Sequence, residues 1–201
     1  MFTRFHRLFC AALIALLILP TASLAEEAVT ASGLGGGLEL AMGRLDWASK
    51  VVKVDWFDGG NEILAKDAYG YIYDIDTGIV VRIKRMGGHN HMDVEPATAA
   101  DTEKLLEIAG GKFSWASKSV ILIAGGQYVA AAINTKPHGQ QTILDNNYRG
   151  QFCLHTTNSI THGSHRVNVE HMKAIERAYN WCQWKSVERQ VVAFSQAITS
   201  L

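Results

Sequence analysis

Apolar and β-branched residues come in short blocks through the middle of the chain and recur at helical spacing near its end. Residues 51–57 alternate in part and stop at Asp58-Gly59-Gly60, and residues 62–66 form a second short run. Residues 69–75 and 79–85 read as paired strands around Asp76-Thr77-Gly78, a turn in which glycine supplies the positive φ a hairpin needs. Residues 99–109 carry Leu105, Leu106 and Ile108 on one side, with Thr98 as N-cap and Gly110-Gly111 as stop, which predicts a helix. Residues 119–124 and 127–133 form a second hairpin about Gly125-Gly126, and residues 150–156 read as a further strand. At the end, Asn168 caps a helix with Met172, Ile175, Tyr179 and Cys182 on one face. Ser186 caps another, with Val187, Val191, Phe194 and Ile198. Strands first and helices later predict an α+β fold: a curved, mainly antiparallel β-sheet or barrel-like core, a mid-chain helix and two C-terminal helices.

The N-terminus departs from this pattern. Arg4 and Arg7 precede an uncharged apolar run over residues 8–19, Pro20 breaks it, and Ser23-Leu24-Ala25 follows. This is the layout of a signal peptide over residues 1–25, cleaved near Ala25, and the run is short for a membrane span. Residues 26–44, with Gly33, Gly35, Gly36 and Gly37, read as a flexible leader, and residues 45–201 as a single domain. The expected localisation is periplasmic or secreted, with no stable membrane span after cleavage. Without Arg4 and Arg7, 17 basic residues face 19 acidic ones, and no basic stripe points to nucleic acid.

Compartment bears directly on the chemistry. Cys10 leaves with the signal peptide, so Cys153 and Cys182 remain. In an oxidising compartment such a pair invites a disulfide, which would pin the last helices to the sheet. The other reading is a reactive thiol. On a strand, Phe152 and Leu154 point one way while Gln151, Cys153 and His155 point the other. His138, His155 and His162 are imidazoles able to lower the thiol pKa and take its proton.

The His138-Gly139 pair after a predicted strand, followed by Phe152-Cys153-Leu154-His155 and Asn158, resembles the L,D-transpeptidases, extracytoplasmic enzymes that cross-link peptidoglycan. The resemblance spans roughly residues 119–158, and Gly150-Gln151-Phe152 stands where that family has Ser/Thr-His-Gly. It implies Cys153 as nucleophile and His138 as base. The wider pattern Gly87-Gly88-His89-Asn90-His91-Met92-Asp93-Val94-Glu95-Pro96, with the later Phe-Cys-Leu-His and Thr161-His162-Gly163, is similar to a poorly characterised bacterial domain found beside peptidoglycan-binding modules.

The His89–Pro96 stretch also stands on its own chemistry. Extended, it places His89, His91, Asp93 and Glu95 on one face, an arrangement able to hold zinc with a histidine from elsewhere. The alternative is that His91 and Asp93 are hydrogen-bonding partners shaping a loop. Trp47, Trp56 and Trp115 either line a groove or belong to the core, the latter expected for at least two of them.

Three functional expectations result. The first is a cell-envelope enzyme acting on peptidoglycan or its stem peptides by cysteine-dependent acyl transfer or peptide hydrolysis. Its catalytic groups are Cys153, His138, His155 and His162, with His91, Asp93, Asn158 and Ser159 toward substrate, and no cofactor is required. The second is a metal-dependent hydrolase using His89, His91 and Asp93, with zinc. The third is a non-catalytic cell-wall module with a Cys153–Cys182 disulfide.

Overall fold

A computed structural model describes residues 46–199; the signal-peptide and leader assignments lie outside them. Six antiparallel strands close into a barrel in the order β1-β2-β3-β6-β5-β4. The strands are β1 Tyr69–Asp74, β2 Val80–Gly87, β3 Met92–Pro96, β4 Lys118–Ala124, β5 Gln127–Ile133 and β6 Phe152–His155. Helix α1 (Ala99–Ile108) joins β3 to β4, and helix α2 (Val169–Thr199) follows β6. The expected curved sheet is thus a closed barrel, which leaves no edge strand exposed.

Strand alternation divides the core in two. Ile72, Val81, Ile83, Met92, Val94, Val120, Leu122, Val129, Ile133, Phe152 and Leu154 join one cluster with Leu105 and Ile108 of α1. The opposite faces of β4 and β5 present Ile121, Ala130 and Ala132, which pack with Ala174, Ile175, Ala178 and Cys182 of α2. Alanines on both sides let the helix lie close to the sheet.

The local signals hold where they rest on backbone chemistry. Thr98 Oγ1 accepts the Asp101 N–H at 3.1 Å, and Asn168 Oδ1 accepts the N–H groups of Glu170 and His171. Gly125 and Gly126 both have positive φ in the β4–β5 turn. Trp47 and Trp56 are buried.

Three expectations fail for tertiary reasons. Residues 51–57 form no strand: β6, paired with β3 on one side, meets β5 only at Ala132 and Ile133. Val52 instead bridges β5 in parallel fashion at Val129. Residues 62–66 form no strand either, and a 3-10 turn (Gly60–Glu62) takes in the first of them. The two expected C-terminal helices are one. No proline or glycine lies between residues 169 and 199, so Ser186 sits inside a continuous helix. Val187, Val191, Phe194 and Ile198 are consequently exposed on its distal half.

Candidate active site

The site grows from the outward face of β3 and β6. Asp93 and Cys153 are register partners in that antiparallel pair, so their side chains emerge side by side on one face. His155 stands two residues on from Cys153, on the same face. Met92, Val94, Phe152 and Leu154 point into the barrel and fix this register, because a one-residue slip would turn them outward.

His138 arrives from the loop between β5 and β6. Its backbone pairs with Gln151 in both directions, N–H to carbonyl at 3.0 Å and 2.8 Å. Gly150 permits this approach. Its φ is +122°, and a Cβ there would stand 2.5 Å from the His138 carbonyl oxygen. The rest of the loop is tied to β3 and α1. The buried Glu95 carboxylate accepts the N–H groups of Thr142 and Ile143 and the Thr142 hydroxyl. Asn146 Nδ2 donates to the Pro96 carbonyl, and Thr102 Oγ1 to that of Asn146. Glu95 therefore anchors the loop that carries His138.

The result is a thiol–imidazole contact. Cys153 Sγ lies 3.3 Å from His138 Nε2. His138 Nδ1 lies 2.9 Å from the Lys136 carbonyl oxygen. A carbonyl only accepts, so Nδ1 carries the proton of the neutral ring and Nε2 turns its lone pair to the sulfur. Burial works against a thiolate at Cys153, but the hydrogen bonds and positive charge of His138 and His91 outweigh it and bring the thiol down to about 6. The hydrogen bond to Cys153 in turn raises His138, against partial burial.

A second set of groups meets the same sulfur from β3 and from the loop before α2. His91 Nδ1 donates to the Ile160 carbonyl at 2.7 Å, which leaves Nε2 facing the site. Burial opposes charge on His91, yet Asp93 and Cys153 push it up to about 10. Burial would raise Asp93, but His91 and His162 hold its carboxyl below the usual range. His162 Nε2 lies 3.0 Å from Asp93 Oδ1 and 3.0 Å from His91 Nε2. His91, Asp93, Cys153 and His162 form a group that could hold a metal ion, their ligand atoms all within 4.8 Å of one another.

His155 does not reach the thiol. Its ring stacks between His91, at 4.3 Å, and His171 of α2, at 3.9 Å. Burial, then the like charges of His171 and His91, depress its pKa. Burial and His91 bring His171 down to about 4. Burial thus favours the neutral form of both rings, which stack along the wall of the site. Ser117 Oγ contacts His171 Nδ1 at 3.1 Å.

A cavity of about 270 Å³ opens over these groups, lined among others by Trp115, Asn134, His138, Cys153, His162 and Asn168. Trp115 is 60% exposed, and its ring centroid lies 4.9 Å from that of His138. Asn134, Asn168 and His171 are the lining residues that sequence reasoning missed. Asn168 and His171 belong to the helix cap, and only the packing of α2 beside β5 brings them to the site.

Several expected residues lie elsewhere. His89 is outside the metal-competent group, and its carbonyl accepts the Trp56 indole N–H. Asn158, at φ +61°, donates through Nδ2 to the Asp55 carboxylate. Ser159 Oγ accepts the Thr156 N–H. Neither lines the cavity. The alternative of a Cys153–Cys182 bridge is not realised: both cysteines are free thiols. Cys182 is buried among the apolar residues of α2, and that burial pushes its thiol up to about 12. Among the described residues no helix is long and apolar enough to cross a membrane. No protein-family model, curated protein or solved structure matches the chain.

Proposed function

We infer that this protein is a cysteine-dependent acyl transferase or amide hydrolase of the cell envelope, with peptidoglycan stem peptides as the substrate class. One observation carries the chemistry: the Cys153 sulfur lies 3.3 Å from His138 Nε2, on a ring oriented by a backbone carbonyl. The substrate class rests on the signal-peptide pattern of residues 1–25 and on the resemblance of the His138-Gly139 and Cys153 segments to L,D-transpeptidases. The expected location is therefore outside the cytoplasm.

In this reading the Cys153 proton passes to His138 Nε2 and the thiolate attacks the carbonyl carbon of a peptide bond. The tetrahedral intermediate collapses, the C–N bond breaks, and the departing amine takes the proton from His138. An acceptor amine or water then attacks the thioester and gives its proton to the same nitrogen. Collapse of the second intermediate returns the thiolate and its imidazolium. His91, held by Asp93, stands as a second positive group beside the sulfur, and Trp115 offers an apolar wall for the substrate.

Incubation with soluble muropeptides, followed by mass spectrometry of protein and products, tests this. The expected result is a peptidyl adduct on Cys153 and new or cleaved peptide bonds, both lost in Cys153→Ala. Turnover that survives in Cys153→Ala overturns it. A metal-dependent hydrolase is the second reading, favoured by the four-residue group around Asp93. Turnover in Cys153→Ala that chelators abolish and zinc restores would support that reading instead.

A further inference from the structure

We propose that the group formed by His91, Asp93, Cys153 and His162 is a zinc(II) site that masks the Cys153 nucleophile, so that metal occupancy switches the thiol off. The masking consequence rests on Cys153 being the nucleophile.

Three of the four ligand atoms cannot satisfy one another by hydrogen bonding. His162 Nε2 lies 3.0 Å from Asp93 Oδ1 and 3.0 Å from His91 Nε2. His91 Nε2 lies 3.5 Å from the same carboxylate oxygen. A ring nitrogen donates or accepts, but does not do both. If both rings donate to Asp93, two N–H groups meet across 3.0 Å. If His91 donates to His162, the His162 lone pair faces the carboxylate. With Asp93 ionised, every placement of protons leaves one side of this triangle repulsive. A cation at its centre takes a lone pair from all three atoms at once.

The size of this triangle and the tautomer of His91 both suit zinc. The three atoms lie on a circle of radius about 1.9 Å, so an ion slightly above its plane reaches the roughly 2.0–2.2 Å at which zinc holds imidazole and carboxylate. The sulfur of Cys153 completes the set, all four ligand atoms lying within 4.8 Å of one another. His91 Nδ1 donates to the Ile160 carbonyl at 2.7 Å. This is the outer contact that orients a metal-binding histidine and points its other nitrogen at the ion. Two nitrogens, one thiolate and one carboxylate suit zinc(II) better than the oxygen-seeking magnesium or calcium.

The number of protein ligands separates a catalytic metal from a mask. A hydrolytic zinc has three protein ligands and keeps a fourth position for water. Here four side chains each offer a ligand atom, enough to fill a four-coordinate zinc, and one of them is the thiol that His138 activates. A sulfur bound to zinc has its lone pair engaged and no proton for His138 to accept. Occupancy and nucleophilic attack therefore exclude each other at one atom.

The test uses the mature protein stripped with a chelator and titrated with zinc(II) alone. One zinc per chain is expected, and binding at least tenfold weaker in His162→Ala and in Asp93→Asn, consistent with loss of a metal-site partner. Cobalt(II) in place of zinc is expected to give a thiolate-to-cobalt charge-transfer band that Cys153→Ser loses while weaker cobalt absorption remains. Iodoacetamide labelling of Cys153 is read in parallel. With zinc at about 100 times its Kd, labelling is expected to slow about 100-fold, as the metal-free fraction falls by mass action, and to recover with chelator. In His162→Ala the same zinc concentration is expected to protect much less, relative to that variant's own metal-free rate.

No binding, binding without the charge-transfer band, or binding without protection overturns the mask. None of these readouts requires turnover, so they stand apart from the peptide chemistry. If muropeptide turnover is found and zinc raises it, the mask is overturned while the enzyme reading stands. If zinc protects Cys153 and no turnover is found, the zinc site and its cover over the reactive thiol stand, and the enzyme reading falls.

Discussion

Cys153 Sγ lies 3.3 Å from His138 Nε2, although the two residues reach each other from different elements, a strand and the loop before it. Paired backbones at His138 and Gln151 bring them together, and a carbonyl at Lys136 fixes which nitrogen faces the sulfur. That contact organises the remaining expectations.

Replacing His138 with Gln keeps a polar side chain of similar reach but removes the base. Turnover is expected to fall by about 10²–10⁴-fold, the usual range for a lost general acid–base group. Circular dichroism is expected to stay native, because the ring is partly exposed and makes one backbone contact. A variant with more than a tenth of wild-type turnover would exclude His138 as the proton acceptor.

Gly150→Ala tests how His138 is held. The new methyl would stand 2.5 Å from the His138 carbonyl oxygen, at a backbone φ of +122° that alanine adopts poorly. The strand bridge must open, and His138 moves with it. A displacement of about 1 Å at a reacting pair costs on the order of 100-fold in rate. The expected outcome is a large loss of turnover with only a modest fall in Tm. Wild-type kinetics in this variant would show that the close approach does not position the base.

Cys182 is expected to act in packing alone. Its thiol lies among Ile121, Ala130, Ala132 and Ile175. Cys182→Ser places a hydroxyl there and is expected to cost roughly 1–3 kcal/mol in urea unfolding. Labelling and turnover at Cys153 are expected to be unchanged in folded protein. A non-reducing peptide map that finds Cys153 joined to Cys182 in active protein would contradict this division of roles.

His171 gives the fold an acid limit. It lies against His155 of β6, with His91 beyond, and contacts Ser117 before β4. Burial first, then His91, lowers its pKa from 6.5 to about 4. The unfolded chain therefore binds a proton here before the folded one does. Its stabilising contribution is complete above pH 6.5 and is lost as the pH falls toward about 4. The full loss is on the order of 3 kcal/mol. Wild-type Tm is expected to drop between pH 7 and pH 4, less steeply in His171→Phe. Equal slopes in the two proteins would remove His171 as a cause.

The readable and unreadable parts of this molecule separate along physical lines. Turns and caps were legible because single residues decide them: Gly125-Gly126, Thr98 and Asn168 each perform the expected backbone role. The shared outward face of Cys153 and His155 followed from strand alternation. What alternation could not give was the strand next door. Asp93 meets Cys153 only through the β3–β6 register, and His155 loses its expected place beside the thiol because His91 and His171 sandwich it. Likewise the apolar spacing of Val187, Val191, Phe194 and Ile198 reads as a buried face, yet those residues project from a continuous helix past the end of its contact with the barrel. Cysteine pairing depends on distance in three dimensions, so parity alone left the bridge and the free thiol as open alternatives.

The most direct measurement is the pH dependence of Cys153 alkylation by iodoacetamide, with chelator present and Cys153 and Cys182 resolved by peptide mass spectrometry. The expected rate for Cys153 rises with an apparent pKa near 6, while Cys182 stays unlabelled until the protein unfolds. In His138→Ala the midpoint is expected to move up toward the free-thiol value of about 8.5. A wild-type midpoint near that free-thiol value, or one that His138→Ala leaves unmoved, would contradict an activated Cys153–His138 pair.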